Sequence, residues 1–341
     1  MFQRYNFSRE AAMIDALRGV AALFVFLSHA DSNKLISFEP LLSYKEYLGE
    51  IGVYLFFILS GYLIWTSAHR QLPKDGGLFA YFVHRCTRIM PLYYVALLFG
   101  IFVFPALSQF PVEISAYAIV RNATFTQSLL PSESRAINPV IWTLTHEMLF
   151  YLLVPALFLA RRAFPLIAVL AAFGTWWGYA FGGDMFAPFL QLCFLFAIGM
   201  TLAQYDLCPT RLAAGLTTLA AILLGVFGFS SMLVSLAWAV ALLSMALSLR
   251  EFRGRLPVRC LAVVGVSSYS LYIWHYMLIE IIGPKLSDYG IRSQHPTLTA
   301  LGFTAFCIGV SWLSYRLIEL PGQTSLRDAV IRRFRTREAT A

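Results

Sequence analysis

Runs of roughly 20 apolar residues recur from one end of this chain to the other, and that length is what an α-helix needs to cross the hydrocarbon of a bilayer. Ten are legible, at about 11–30, 51–68, 89–107, 139–159, 163–181, 187–204, 212–229, 231–249, 261–282 and 298–318. The seventh and eighth are separated only by the turn residues of "FSS" (229–231). With 59% hydrophobic and only 13% charged residues, and with 29 Phe and 17 Tyr among 341 positions, the chain lies outside the range of soluble domains. The expected fold is all-α: a polytopic membrane bundle of ten transmembrane helices.

Charge patterning orients that bundle. With the N-terminus inside, the outer loops hold Lys34, Lys45, Arg121, Arg135, Lys285 and Arg292. Apart from Arg18, within the first span, the remaining Lys and Arg fall inside, including Arg161, Arg162, Arg250, Arg253, Arg255, Arg259 and the tail "RRFRTR". That asymmetry follows the positive-inside rule and places both termini in the cytoplasm. The net charge of +8 is then a membrane-orientation signal, with the tail facing anionic lipid heads rather than nucleic acid. The domain expectation is a transmembrane domain over 1–321 and a basic cytoplasmic tail over 322–341. Arg4 and Arg9 before an apolar run ending in "SHA" also fit a secretory signal, but its removal would leave nine spans and spoil the asymmetry. Five scattered cysteines (Cys86, Cys193, Cys208, Cys260, Cys307), with no C-x-x-C pair, suggest neither a disulfide framework nor a metal site.

Several spans carry groups that are costly in hydrocarbon. In "IDALRGVAALFVFLSHA" (14–30), Arg18 and His29 are eleven residues apart, three helical turns plus about 20°, so they share a face about 16 Å long. Asp15 lies one turn from Arg18 and can pair with it. These residues form either a polar lining or two interfacial rims, and the shared face favours a lining. Ser60 and Gly61 sit at the centre of the second span, where Gly admits a neighbouring backbone. In "HRCTRIMPLYY" (84–94), Arg85 and Arg88 are one turn apart at the inner end of the third span. They read either as ordinary positive-inside anchors or as two guanidinium forks for a phosphate. "IWTLTHEMLFYLLVP" (141–155) places Glu147 well inside a span, with Thr143 and Tyr151 one turn to either side and Trp142 one turn from His146. It is not the H-E-x-x-H zinc helix, since Phe150 stands at its last position. "SSYSLYIWHYMLIE" (267–280) adds Ser268, Tyr272 and His275 near one face, and Glu280; Glu319 in "YRLIELP" (315–321) falls at the bilayer rim. Gly174, Gly178 and Gly182 suit close helix packing. G-x-S-x-G, Walker and G-x-G-x-x-G motifs are absent, which argues against an α/β-hydrolase, an ATP-driven pump and a dinucleotide enzyme.

Together these segments resemble the membrane-bound acyltransferase-3 family of O-acyltransferases. The likeness runs in the family's order from residue 14 to 321, through Arg18 and His29, "FFILSG", "RCTR" and "WTLTHE". The family often has Ser where Thr143 stands and Ser-Val where this chain has Thr145-His146. The extra span and C-terminal esterase-like domain of some members are not expected here. The resemblance implies transfer of an acyl group, usually acetyl, from cytoplasmic acyl-CoA to a hydroxyl of a carbohydrate acceptor, in the bacterial inner membrane. By the same resemblance His29 and Arg18 are catalytic, Glu147 supports the site, and Arg85 and Arg88 hold the CoA phosphates. Asp15, Ser60, Trp142, Tyr151, Tyr272 and His275 are expected to line or support the site. Acetyl-CoA is expected as a substrate, and no bound cofactor or metal is expected. A transporter or flippase of lipid-linked sugars is the alternative, though it gives no use for a phosphate-suited Arg pair beside an intramembrane His and Glu.

Overall fold

The computed structural model describes residues 11–33, 35, 45–109, 114–129, 137–181, 187–249 and 254–340. Arg4, Arg9, Lys34, Arg135, Gly182, Arg250 and Arg253, all used in the sequence reading, lie outside them. Among the described residues the regular structure is entirely helical. In chain order the α-helices are α1 (Ala11–Ser32), α2 (Lys45–Gln71), α3 (Gly77–Phe102), α4 (Phe104–Leu107), α5 (Ala116–Ala123), α6 (Trp142–Leu159), α7 (Phe164–Ala180) and α8 (Ala187–Gln204). They continue with α9 (Arg211–Val226), α10 (Ser231–Ser248), α11 (Leu256–Val266), α12 (Ser268–Asp288), α13 (Ile291–Gln294), α14 (Pro296–Ser314) and α15 (Arg327–Thr340). Two π-helical turns, Tyr315–Glu319 and Gly322–Leu326, join α14 to α15.

The apolar runs do become helices, and the chain is an all-α, multi-pass membrane protein. Fewer than the expected ten meet the length and composition needed to span: six do among the described residues, or seven when the bent pair α11–α12 counts as one. The other three of the ten expected runs are α7, α8 and α9, whose 17, 18 and 16 residues reach about 24–27 Å at 1.5 Å per residue, the short end of what a span needs. The expected single span 261–282 is instead α11 and α12, bent by 70°. The break falls at Ser267, whose hydroxyl turns back to the Val263 and Val264 carbonyls at 3.5 and 3.2 Å and competes with the helical ladder.

The chain forms two compact units, residues 1–59 with 206–311, and residues 60–205 with 312–341. In the first, α1 packs along α11 and then α12. A Cβ on Gly265 would overlap the Asp15 carbonyl and sit 3.0 Å from the Gly19 nitrogen, so only glycine permits this backbone approach. Further along, Ala22, Phe26, Leu271, Ile279, Phe303 and Cys307 form a closed apolar core. In the second unit, α7 lies against α8 through polar contacts: Thr175 Oγ1 donates to the Leu190 carbonyl at 2.9 Å, and Gln191 Nε2 donates to the Gly178 carbonyl at 3.0 Å. Phe150 of α6 stacks on Phe196 of α8 at 3.8 Å. Glu319, expected at the rim, is 1% exposed and accepts from Gln323 Nε2 at 3.0 Å.

Candidate active site

In the first unit the parallel run of α1 against α11–α12 brings two imidazoles together. His29 Nδ1 lies 3.0 Å from His275 Nε2. The rings are tilted at 36° with centroids 5.1 Å apart, and Tyr276 meets His29 edge-on at 5.4 Å. His275 is 1% exposed, whereas His29 is half-buried. The other nitrogen of His275, Nδ1, faces the Tyr272 and Leu271 carbonyls at 2.9 and 3.1 Å. Carbonyls only accept, so the neutral His275 carries its proton on Nδ1 and presents a lone pair at Nε2. His29 must then donate from Nδ1, and its own Nε2 is left with the lone pair of a base. The Val25 carbonyl, one turn earlier, is a further backbone acceptor beside the His29 ring.

Phe26 packs edge-on against His275 at 6.4 Å, and Tyr272 lies 5.9 Å from it while meeting Phe56 at 6.0 Å. Phe26 and Tyr272 thus flank His275, and Phe56 backs Tyr272. Three turns earlier on α1, Arg18 and Asp15 form the expected ion pair, at 3.7 Å and largely shielded from solvent. Sequence reasoning found both histidines but placed His275 only among the residues that line or support the site, without its contact to His29. No local signal could reveal the contact, because 246 residues separate the partners.

The second unit collects Ser60, Arg85, Glu147 and Tyr151. Tyr151 donates its hydroxyl to Glu147 Oε1 at 2.5 Å, a short charge-assisted bond. Ser60 Oγ reaches the same oxygen at 3.5 Å, the limit of a hydrogen bond. Arg85 is buried between two aromatic faces, 5.8 Å from the Tyr81 ring centre and 5.5 Å from that of Tyr151. One of its terminal nitrogens donates to the Leu63 carbonyl at 3.2 Å, while Nε has no acceptor among the described residues. Arg88, one turn on, is half-buried and within electrostatic reach of Tyr151. Tyr81, absent from the sequence reading, completes the cage by donating to the Tyr151 carbonyl at 3.2 Å.

Ser60 is set at that depth by Gly61. A Cβ there would press into the backbone of Phe196, so α2 and α8 meet main chain to main chain. Trp142 is exposed at the start of α6 and touches His146 edge-on at 5.6 Å. His146 itself is fully buried, and neither ring nitrogen has a partner among the described residues.

Comparison with known proteins places the chain in a family. Residues 12–316 match the acyltransferase domain model of the acyltransferase-3 family. The chain is 29% identical to the exopolysaccharide production protein ExoZ of Rhizobium meliloti (strain 1021), over 86% of this chain and 93% of that protein. It is 28% identical to nodulation protein 10 of Rhizobium leguminosarum bv. viciae, over 94% and 95%. It is 25% identical to the O-acetyltransferase OatA of Staphylococcus aureus (strain NCTC 8325 / PS 47), over 90% of this chain and 56% of that longer protein. No solved structure matches the chain. With the family model covering nearly its whole length, the chain belongs to the acyltransferase-3 family.

Proposed function

We propose that this protein is an O-acyltransferase of the bacterial inner membrane. It moves an acyl group, acetyl first among candidates, from cytoplasmic acyl-CoA to a hydroxyl of a carbohydrate acceptor such as an exported polysaccharide. The observation that carries this reading is the histidine relay, which leaves an unprotonated His29 Nε2 inside a span. A buried base needs a proton to take, and an acceptor hydroxyl supplies one.

In the step proposed, His29 Nε2 removes the hydroxyl proton as the oxygen attacks the thioester carbonyl carbon. A C–O bond forms and a tetrahedral oxyanion results; Arg18, oriented by Asp15 and about 16 Å from His29 along α1, is assigned to guiding the donor arm toward the base rather than to the oxyanion. Collapse breaks the C–S bond, and the His29 imidazolium returns its proton to the leaving CoA thiolate. His275 acts as a positioning residue, fixing the ring and tautomer of His29.

Arg85 and Arg88 are assigned to the donor phosphates. The Nε–H of Arg85, buried without a protein acceptor, is a donor that an arriving anion would satisfy. Glu147 and Tyr151 hold Arg85 and its neighbours in place. The names of relatives support a polysaccharide or O-acetyl context: one is an exopolysaccharide production protein and another an O-acetyltransferase.

The test is mass spectrometry of surface glycan from cells with the gene, without it, and with His29→Ala at equal expression. Acyl esters should be present only with the wild-type gene. Full glycan acylation in the His29→Ala strain would overturn the mechanism.

A further inference from the structure

The C-terminal helix does more than follow the last span. From Gly322 to Phe334 the chain runs back along α3. A Cβ on Gly322 would sit 2.7 Å from the Thr87 carbonyl oxygen and 3.0 Å from Pro91, so this turn is pressed against α3 between and just beyond the Arg85 and Arg88 positions. Twelve residues later Phe334 stacks on Phe79 at 4.0 Å. Between these two anchors, Arg327 and Asp328 come within electrostatic reach of His84. The antiparallel run therefore lays a basic helix beside the end of α3 that carries the arginine pair.

An open depression of about 590 Å³ lies on this helix, lined by Thr324, Ser325, Asp328, Ile331, Arg332 and Arg335. Arg332 and Arg335 are three residues apart and so share one helical face, repeating the spacing of Arg85 and Arg88. Among the described residues Arg332 donates Nε to the Asp328 carbonyl at 3.2 Å and lies within electrostatic reach of the Asp328 carboxylate. The one carboxylate in the depression, Asp328, is held by Arg327 at 2.8 Å. Thr324 gives its proton to the Leu320 carbonyl, which makes Ser325 and the two arginines the depression's donors toward a ligand. Guanidinium forks beside a hydroxyl, with charge in excess of the single carboxylate, suit the planar oxygen pairs of a phosphate.

We propose that this face of the C-terminal helix, which docks on α3 by its Gly322 and Phe334 contacts, is a second phosphate-binding site. Two ligands present that chemistry at a membrane surface: the nucleotide end of coenzyme A and the head group of an anionic phospholipid. The first source rests on the donor assignment made above, and the second does not.

The full-length protein in nanodiscs distinguishes them. In purely zwitterionic phosphatidylcholine, Arg332→Gln/Arg335→Gln should weaken coenzyme A binding about tenfold by titration calorimetry, while pantetheine, which lacks phosphate, binds as to wild type. If coenzyme A binding is unchanged but thermal stabilisation by phosphatidylglycerol is lost, the site takes lipid phosphate. If neither changes, this face is not a phosphate site. A wild-type protein that binds no coenzyme A defeats the donor assignment and leaves the lipid arm to decide the site. Arg333→Gln, exposed and outside the depression, should match wild type in both arms. Should the double glutamine variant fail to fold, Arg332→Lys/Arg335→Lys keeps the charge without the fork. A loss of about threefold is expected from it, and no loss in either arm counts against the proposal.

Discussion

The two units handle polar groups inside the membrane in opposite ways. In the first, two like groups touch: His29 and His275 share a proton position across 3.0 Å, and backbone carbonyls decide which nitrogens hold protons. In the second, unlike groups interlock. The Glu147 carboxylate is tied to Tyr151, and Tyr151 and Tyr81 face the Arg85 guanidinium. A pair of neutral rings can accept and return a proton without stranding a charge. The Tyr151 side chain joins a carboxylate on one side and a guanidinium on the other, so loss of either contact disturbs both groups. The first arrangement suits chemistry and the second suits a fixed electrostatic frame for a ligand.

Four substitutions sharpen or break that contrast. The largest effect belongs to His29→Ala, which should lower acyl transfer by about 10²–10⁴-fold, the usual contribution of a general base. It is read as kcat with acetyl-CoA, and a residual rate within about threefold of wild type would remove His29 from the chemistry. Next, His275→Phe keeps the ring volume and removes the acceptor for His29 Nδ1. A loss of about 10–100-fold in kcat is expected, with KM for acetyl-CoA near wild type and a displaced pH–rate profile. A changed KM with normal kcat and normal profile would make His275 a packing residue only.

In the second unit the signature should reverse. Arg88→Ala should raise KM for acetyl-CoA about tenfold with a smaller change in kcat. If kcat falls while KM holds, the division of labour between the units fails. The smallest effect is expected from Ser60→Ala. Its 3.5 Å contact with Glu147 is at the edge of bonding, so thermal unfolding should shift by less than about 0.5 kcal/mol of stability. A loss above 2 kcal/mol would mean that Ser60, rather than Tyr151, holds the carboxylate.

How much of this was legible in the sequence depended on the range of the interaction. Apolar runs report local burial, so α1, α6 and α10 emerged close to their predicted bounds. Arg18 with Asp15, and Tyr151 with Glu147, were legible because one helical turn separates each pair. The bend at Ser267 was not, since a serine in an apolar run looks the same whether or not it turns back on its helix. The bounds of α7 and α8 also match the expected 163–181 and 187–204, and α9 ends at Val226, three residues before the expected 229. The third span was placed at 89–107, but its helix begins at Gly77, so Arg85 and Arg88 stand inside a continuous helix with two further turns before them. The histidine pair depends on packing across the whole chain, and its two halves looked like separate polar residues.

The glycine contact and the histidine contact in the first unit are spaced alike on both chain segments. Gly19 meets Gly265, and ten residues later on each segment His29 meets His275. The backbone contact thus serves as the zero mark of a ruler, and the imidazoles are read off at the same graduation on both scales. Insertion of one residue between Gly265 and His275 would turn the second ring by about 100° and carry it along the axis by about 1.5 Å. Length changes should therefore be tolerated in the loops of this protein and forbidden within these two ten-residue intervals, even where every named side chain is kept.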